Sequence, residues 1–199
     1  MAREKSASEP DLKRICAFFF GGTFDPPHRG HYRIVSHILT ENSRARVIVM
    51  PAAVSPLRGD ARLFSYRQRF HFLRRLFYRE IAAGRVILSR LEKKLPPPNY
   101  TVHTLAELGR FCAEKPVLVI GADQAENFAR WHRAADLMKK YTFLVFARRG
   151  SAFAPEAGLT AEVVADFDEN ISATELRNQL AALAPAERLR EMQRLLSAV

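Results

Sequence analysis

Short apolar runs alternate with longer amphipathic stretches along this chain, and no other feature narrows the fold so far. Residues 15–20, 46–50, 86–88, 117–120 and 142–146 are rich in Val, Ile, Leu and Phe, and 163–165 is a weaker sixth run. They lack the polar alternation of a half-exposed strand, which is the pattern of parallel strands covered on both faces. Between them the apolar spacing turns helical at 32–39, 66–81, 101–111 and 131–139, and 172–182 and 185–197 form a helical tail. In 66–81, Tyr66, Phe70, Leu73 and Phe77 share one helical face, with Arg67, Arg74, Arg75 and Arg79 off it. Alternating strands and helices require crossover connections. The expectation is an α/β fold: a doubly wound, mainly parallel sheet with helices on both faces and a C-terminal helical segment. Such sheets bind ligands beyond the carboxyl ends of their strands, where strand order reverses.

The 199 residues suit one domain, 15–199, behind a polar tail at 1–14. That tail has no apolar segment of the secretory kind, and ICAFFF and VLVI are far shorter than the roughly 18–20 residues a bilayer demands. No membrane partner is expected. Cys16 and Cys112 are too few for a disulfide framework and form no CxxC pair, a usage that fits a reducing cytoplasm. The formal net charge is +10, and it is localised: residues 44–94 carry thirteen Arg and Lys against Asp60, Glu80 and Glu92. An excess of this kind suits anionic ligands.

The first apolar run leads into GGTFDPPHRGHYRIV. Gly21 and Gly22 let backbone approach a ligand closely. Asp25-Pro26 reads as a helix entry. His28 and His31 are three apart, on one face of the helix that follows, with Gly30 between them. Two imidazoles beside helix N-terminal amides suit anionic oxygens. A metal pair, or two surface histidines at a tight turn, are the competing readings of a bare HxxH.

Near the other end stands ISATELR. Ser172 and Glu175 have capping-box spacing, so a plain helix cap accounts for them. Thr174 adds a hydroxyl at the helix start, and Arg177 lies one turn on, placed to reach back toward an anion.

GGTFDPPHRGH and ISATELR resemble the two signatures of the HxGH nucleotidyltransferase superfamily, and within it the bacterial nicotinate-nucleotide adenylyltransferases. The GxxxxGK[ST] phosphate loop and the GxGxxG fingerprint are absent. The middle of the chain is similar to that family at four places. Met50-Pro51 leads to Ser55-Pro56-Leu57-Arg58, similar to its PPHK loop. Asn99-Tyr100-Thr101 resembles its SYT segment, and Gly121-Ala122-Asp123-Gln124 its GxD. Trp131, the only tryptophan, follows at the family's spacing. Leu57 and Arg58 stand where the family has His and Lys: Arg58 can replace the cation, and Leu57 cannot replace the imidazole.

The resemblance implies a Rossmann-like enzyme joining ATP to nicotinate mononucleotide, with nicotinate adenine dinucleotide and pyrophosphate as products. It implies His28 and His31 as catalytic groups on the phosphates. It implies an ATP site of Gly21, Gly22, Thr23, Phe24, His28, His31, Gly121, Asp123, Arg148, Ile171, Ser172, Thr174 and Arg177. Arg58, Tyr100, Thr101, Trp131 and His132 are implied for the mononucleotide. Mg²⁺ is expected on the ATP phosphates, with no resident metal site. The attacking phosphate is already an anion, so neither a general base nor a covalent intermediate is needed. Other readings stay open residue by residue: Trp131 as core, Thr101 and Asp123 as helix caps, Arg58 as solvated. A sister enzyme acting on nicotinamide mononucleotide or phosphopantetheine is one rival. A nucleic-acid module built on the basic 44–94 stretch is another, but no specific nucleic-acid partner is expected. Oligomeric state is not legible.

Overall fold

The computed structural model describes residues 17–54, 62–148, 160–167 and 173–199. Six strands form one sheet: β1 Ala17–Gly22, β2 Arg46–Pro51, β3 Val86–Leu88, β4 Val117–Gly121, β5 Phe143–Arg148 and β6 Ala161–Phe167. All pairings are parallel and the order is β3-β2-β1-β4-β5-β6. The sheet is therefore α/β and doubly wound, as the unalternated apolar runs require. Phe18, Phe20, Val47, Val49, Val117, Val119, Leu144 and Phe146 point into one core; Phe19, Ile48, Met50, Leu118, Ile120, Phe143 and Val145 point into the other. Each such side chain contributes roughly 1.5–3 kcal/mol by leaving water.

Helices α1 Arg29–Glu41, α2 Tyr66–Leu76, α3 Tyr78–Ala82, α7 Ala173–Ala181 and α8 Pro185–Ser197 supply residues to, or pack on, the first core. Helices α4 Thr101–Leu108, α5 Ala122–Glu126 and α6 Ala134–Lys140 cover the second, where half-buried Cys112 also packs. Cys16 lies outside the described residues.

Three expectations need correction. The 66–81 stretch is two helices, broken at Phe77, whose φ of −106° and ψ of 26° leave the helical range. Its buried face is Arg69, Phe72, Leu73, Leu76 and Phe77. Tyr66 and Phe70 are only half-buried, and cations cover them: the Arg90 guanidinium lies 4.1 Å from the Phe70 ring centroid, and the Lys93 ammonium 5.5 Å from that of Tyr66. The 131–139 stretch starts later, at Ala134, behind a 3₁₀ turn at Phe128–Arg130.

Strand register opens the site. β1 pairs with β2 as far as Gly22 opposite Pro51, but with β4 only as far as Phe19 opposite Leu118. The carboxyl ends of β1 and β4 part at the point where strand order reverses, leaving a crevice there.

Candidate active site

Beyond the crevice, β1 runs into a tightly determined loop. Phe24 has φ +48°, a left-handed conformation that costs a non-glycine residue about 1–2 kcal/mol. Its ring is 2 % exposed and meets Phe20 edge-on at 5.3 Å, which holds it there. Asp25-Pro26 is cis and precedes the helix rather than opening it. The Asp25 carboxylate is buried and accepts from the backbone N–H groups of Leu63 (2.8 Å) and Phe64 (2.9 Å). Asp25 thus ties the β1 loop to the start of α2.

The residue that caps α1 is His28. Its Nδ1 accepts from Gly30 N–H at 3.1 Å, while His28 N–H donates to Nδ1 of His31, also at 3.1 Å. The two rings lie 3.8 Å apart between centroids. Because both Nδ1 atoms accept, the proton of each neutral ring sits on Nε2. Burial, then the neighbouring His28, holds His31 well below the ordinary imidazole value. Near neutral pH His31 is an uncharged Nε2–H donor at a helix N-terminus.

The second motif meets the first in space. Arg177 of α7 donates from Nε (3.1 Å) and Nη2 (2.7 Å) to the Asp25 carbonyl oxygen and lies 3.4 Å from its carboxylate. Thr174 is exposed in the first turn of α7. Glu175 and Leu176 border a groove of about 390 Å³ together with Pro27, His28 and Arg29. Ile171 and Ser172 lie outside the described residues, as do Ser55, Pro56, Leu57 and Arg58. Arg148 ends β5, and its side chain is likewise outside the description.

On the other flank of the β1 loop a cleft of about 440 Å³ opens over the crevice. Phe19, Leu118 and Ile120 floor it; Gly21, Gly22 and Thr23 form one wall, and Tyr100, Thr101, Trp131 and His132 another. A Cβ on Gly21 would come within 2.8 Å of the Phe19 ring, so the strand passes that ring only as glycine. Trp131 is half-buried, a wall of the cleft rather than a core side chain, with its ring 5.2 Å from Phe128. Tyr100 and His132 stack at 4.1 Å. Thr101 is the first residue of α4, and Tyr100 is its N-cap with no side-chain cap bond; Thr101 is not the cap. Asp123 is likewise not a cap, since Gly121 holds that position before α5. Asp123 is exposed and outside the cleft lining, where Gln124 stands instead.

Most of the described predicted residues thus fall into two groups that share the β1 loop, while Gly121, Asp123 and Thr174 stand in neither. Gly21, Gly22, Thr23, Tyr100, Thr101, Trp131 and His132 line the cleft. Phe24, His28, His31 and Arg177 gather on the loop's other side, where the Phe24 and His31 rings meet at 4.8 Å.

A buried polar layer beneath the cleft is not legible in the sequence. Glu92 accepts from Ala53 N–H (3.0 Å) and the Thr104 hydroxyl (3.1 Å). Asn99 accepts from Val54 N–H (2.9 Å) and donates to the Glu92 carbonyl (3.1 Å). Burial pushes the Glu92 carboxyl up, against the pull of those two hydrogen bonds. Together these groups fix the β2 loop to the entry of α4. The one available signal is Glu92 as an isolated acid in a basic stretch. Among the described residues no three His, Cys, Asp or Glu converge to hold a metal ion.

Comparison with known proteins matches residues 19–179 to the cytidylyltransferase-like family. The chain is 33 % identical over 159 residues to a probable nicotinate-nucleotide adenylyltransferase of a Nitratiruptor species, covering 79 % of this chain and 85 % of that one. It is 32 % identical over 165 residues to a protein of the same description from Solibacter usitatus, covering 82 % and 86 %. Among solved structures, the Plasmodium falciparum nicotinic acid mononucleotide adenylyltransferase complexed with NaAD superposes with a TM-score of 0.68 at 17 % identity, over 89 % of each chain. That last likeness is one of fold.

Proposed function

The chain belongs to the cytidylyltransferase-like family and, within it, to the nicotinate-nucleotide adenylyltransferases, and from that premise we propose how its residues perform the transfer. A phosphate oxygen of nicotinate mononucleotide attacks the α-phosphorus of ATP. The bond from that phosphorus to the bridging oxygen breaks, and pyrophosphate leaves with the electron pair. Nicotinate adenine dinucleotide remains.

The observation that carries the reading is the reciprocal His28–His31 cap at the switch point of the sheet. It presents two Nε2–H donors and the N-terminal amides of α1 toward phosphate oxygens, and donors fixed in advance favour the charge that develops in transfer. Gly21, Gly22, Thr23 and Phe24 carry the nucleotide past the loop. Ile171, Ser172, Thr174 and Arg177 hold the β- and γ-phosphates and the departing pyrophosphate, while Gly121, Asp123 and Arg148 serve the rest of ATP. The cleft takes the mononucleotide: Trp131 stacks on the pyridine, and the opening amides of α4 at Thr101 meet its carboxylate beside Tyr100 and His132. Arg58 pairs with its phosphate. Mg²⁺ enters with ATP, as part of that substrate, coordinated by phosphate oxygens and water.

The reading treats 15–199 as one catalytic domain working in the cytoplasm; no described helix is long and apolar enough to cross a membrane. The test is acceptor choice. Purified protein with Mg-ATP is given nicotinate mononucleotide, nicotinamide mononucleotide or phosphopantetheine, and pyrophosphate release and the dinucleotide product are followed. Fast release with the nicotinate acceptor is expected; equal or greater rates with another acceptor overturn the assignment.

A further inference from the structure

Arg69 is fully buried in α2, three and four residues before Phe72 and Leu73 on the same apolar face. Among the described residues it has no ion pair, and its Nε has no hydrogen-bond partner. Burial, and then Arg62, draws its proton affinity down, while Asp25 and Glu92 raise it from a distance. Its guanidinium lies 5.5 Å from the Tyr66 ring centroid, but a buried cation with no carboxylate partner among the described residues is poor for stability, and an apolar side chain of similar volume often serves as well or better. What this guanidinium holds is backbone on both sides of the reaction site. Nη1 donates to the Thr23 carbonyl oxygen, in the β1 loop, and Nη2 to the Ala52 carbonyl oxygen, after β2, at 3.0 Å. Thr23 and Ala52 both line the cleft.

The Thr23 carbonyl belongs to the peptide that enters Phe24, the residue held at φ +48°. The Phe24 ring in turn packs on the His31 imidazole at 4.8 Å. A continuous run of contacts therefore leads from Arg69 through the Thr23–Phe24 peptide to His31. Ser65 and Gln68 fix the start of α2 by a reciprocal cap, so the helix presents Arg69 from a set position.

We propose that Arg69 is a positioning residue for the transfer: by clamping the Thr23 and Ala52 carbonyls it sets the β1 loop against the β2 loop, and through Phe24 it fixes the His31 ring. Its kinetic consequence rests on the adenylyl-transfer reading; its structural consequence for His31 does not. A cationic fork suits the task, because one ammonium cannot reproduce two directed N–H groups.

The experiment compares Arg69→Met, which keeps length and loses charge and donors, with Arg69→Lys and the exposed control Arg74→Met. Wild-type turnover with nicotinate mononucleotide is measured first, and its absence counts against the functional reading alone. Displacement of a catalytic group by about 1 Å costs on the order of 10²-fold. Arg69→Met is therefore expected to lose roughly 10- to 100-fold in kcat, more than the KM for ATP changes, and to stay folded at a Tm lowered by the two carbonyls that lose their donors. Arg69→Lys should fall between it and wild type, and Arg74→Met should match wild type. In parallel, the His31 ring-nitrogen resonances are recorded without substrate; they should move in Arg69→Met and stay in Arg74→Met. Unshifted His31 resonances, or a folded Arg69→Met with kcat within about twofold of wild type, overturn the proposal. If Arg69→Met does not fold, Arg69→Lys carries the same two readouts under the same criteria.

Discussion

Replacing His31 separates what its ring does for the fold from what it does for the reaction. Two contributions are structural, since Nδ1 accepts from His28 N–H at 3.1 Å and the ring meets Phe24 at 4.8 Å; the third, on the proposed mechanism, is an Nε2–H donor to phosphate. The first resembles a helix cap at about 1 kcal/mol. The second, as an aromatic pair, contributes about 0.5–1.5 kcal/mol. Their loss in His31→Ala costs about 2 kcal/mol, a fall in Tm of roughly 4–8 °C for a chain of this size. The third contribution is felt in the transition state, where loss of one preorganised donor lowers kcat by about 10²–10³. His31→Asn keeps an acceptor for the cap, so it should regain part of the Tm and none of the rate. Pyrophosphate release at saturating substrates and thermal unfolding of both variants measure the two effects. A kcat within about threefold of wild type in either variant would falsify the assignment of His31 to the reaction.

The same residue has a pH signature. Its folded-state affinity for protons lies well below the ordinary 6.5, so the unfolded chain binds the extra proton first as pH falls. Its contribution is present above 6.5 and is lost progressively as pH drops below that value toward the depressed folded one. Glu92, pushed up by burial, works with the opposite sign above 4.5. The slope assignable to His31 is therefore the difference between wild type and His31→Asn, and identical slopes refute it.

Three further expectations concern the surroundings. Asp25→Ala strips the acceptor from one buried and one part-buried amide, each costing about 1–3 kcal/mol at most, so Tm should drop by roughly 5–20 °C, with Asn recovering about half; an unchanged melting curve contradicts the role given to Asp25. Trp131→Leu should raise the KM for nicotinate mononucleotide about tenfold and leave the KM for ATP alone, while in wild type the fluorescence of this sole tryptophan should respond to the mononucleotide; equal changes in both KM values argue against stacking. Gly21→Ala should drive the Phe19 ring toward the cleft, costing about 1–3 kcal/mol of stability and weakening substrate binding, as steady-state kinetics and calorimetry can check.

The strands are readable because burial on both faces leaves a bare apolar run, as at Phe18–Phe19–Phe20 and Val117–Leu118–Val119, where neighbouring residues serve opposite cores. Helix ends are less so. Asp25-Pro26 has the composition of a helix entry, yet the cap falls to His28, an imidazole in place of the usual short polar cap, whose Nδ1 accepts from Gly30 N–H. Arg69 is hidden for a related reason. The apolar stripe of 66–81 runs through aromatic residues, but the core takes Arg69 and leaves Tyr66 and Phe70 to be covered by Lys93 and Arg90. Both motifs are visible as strings; that Arg177 lands on the Asp25 carbonyl is a fact of tertiary structure that spacing along a chain does not encode. The cleft's Tyr100, Thr101 and Trp131 are found through the resemblance, since each alone also fits an ordinary cap or core residue.

The contact between Arg177 and Asp25 joins residues 152 positions apart, and β1 lies between β2, which follows it closely, and β4, which comes much later. Contacts of such separation form late, because their loop-closure entropy must be met first. During synthesis the histidine pair emerges early, well before the strand and helix that bracket it. A partly made chain therefore displays the motif without the Arg177–Asp25 contact, and under the proposed role of Thr174 and Arg177 nucleotide capture would report arrival of α7 on the β1 loop. Timed assays during refolding should show backbone order appearing ahead of adenylyl transfer.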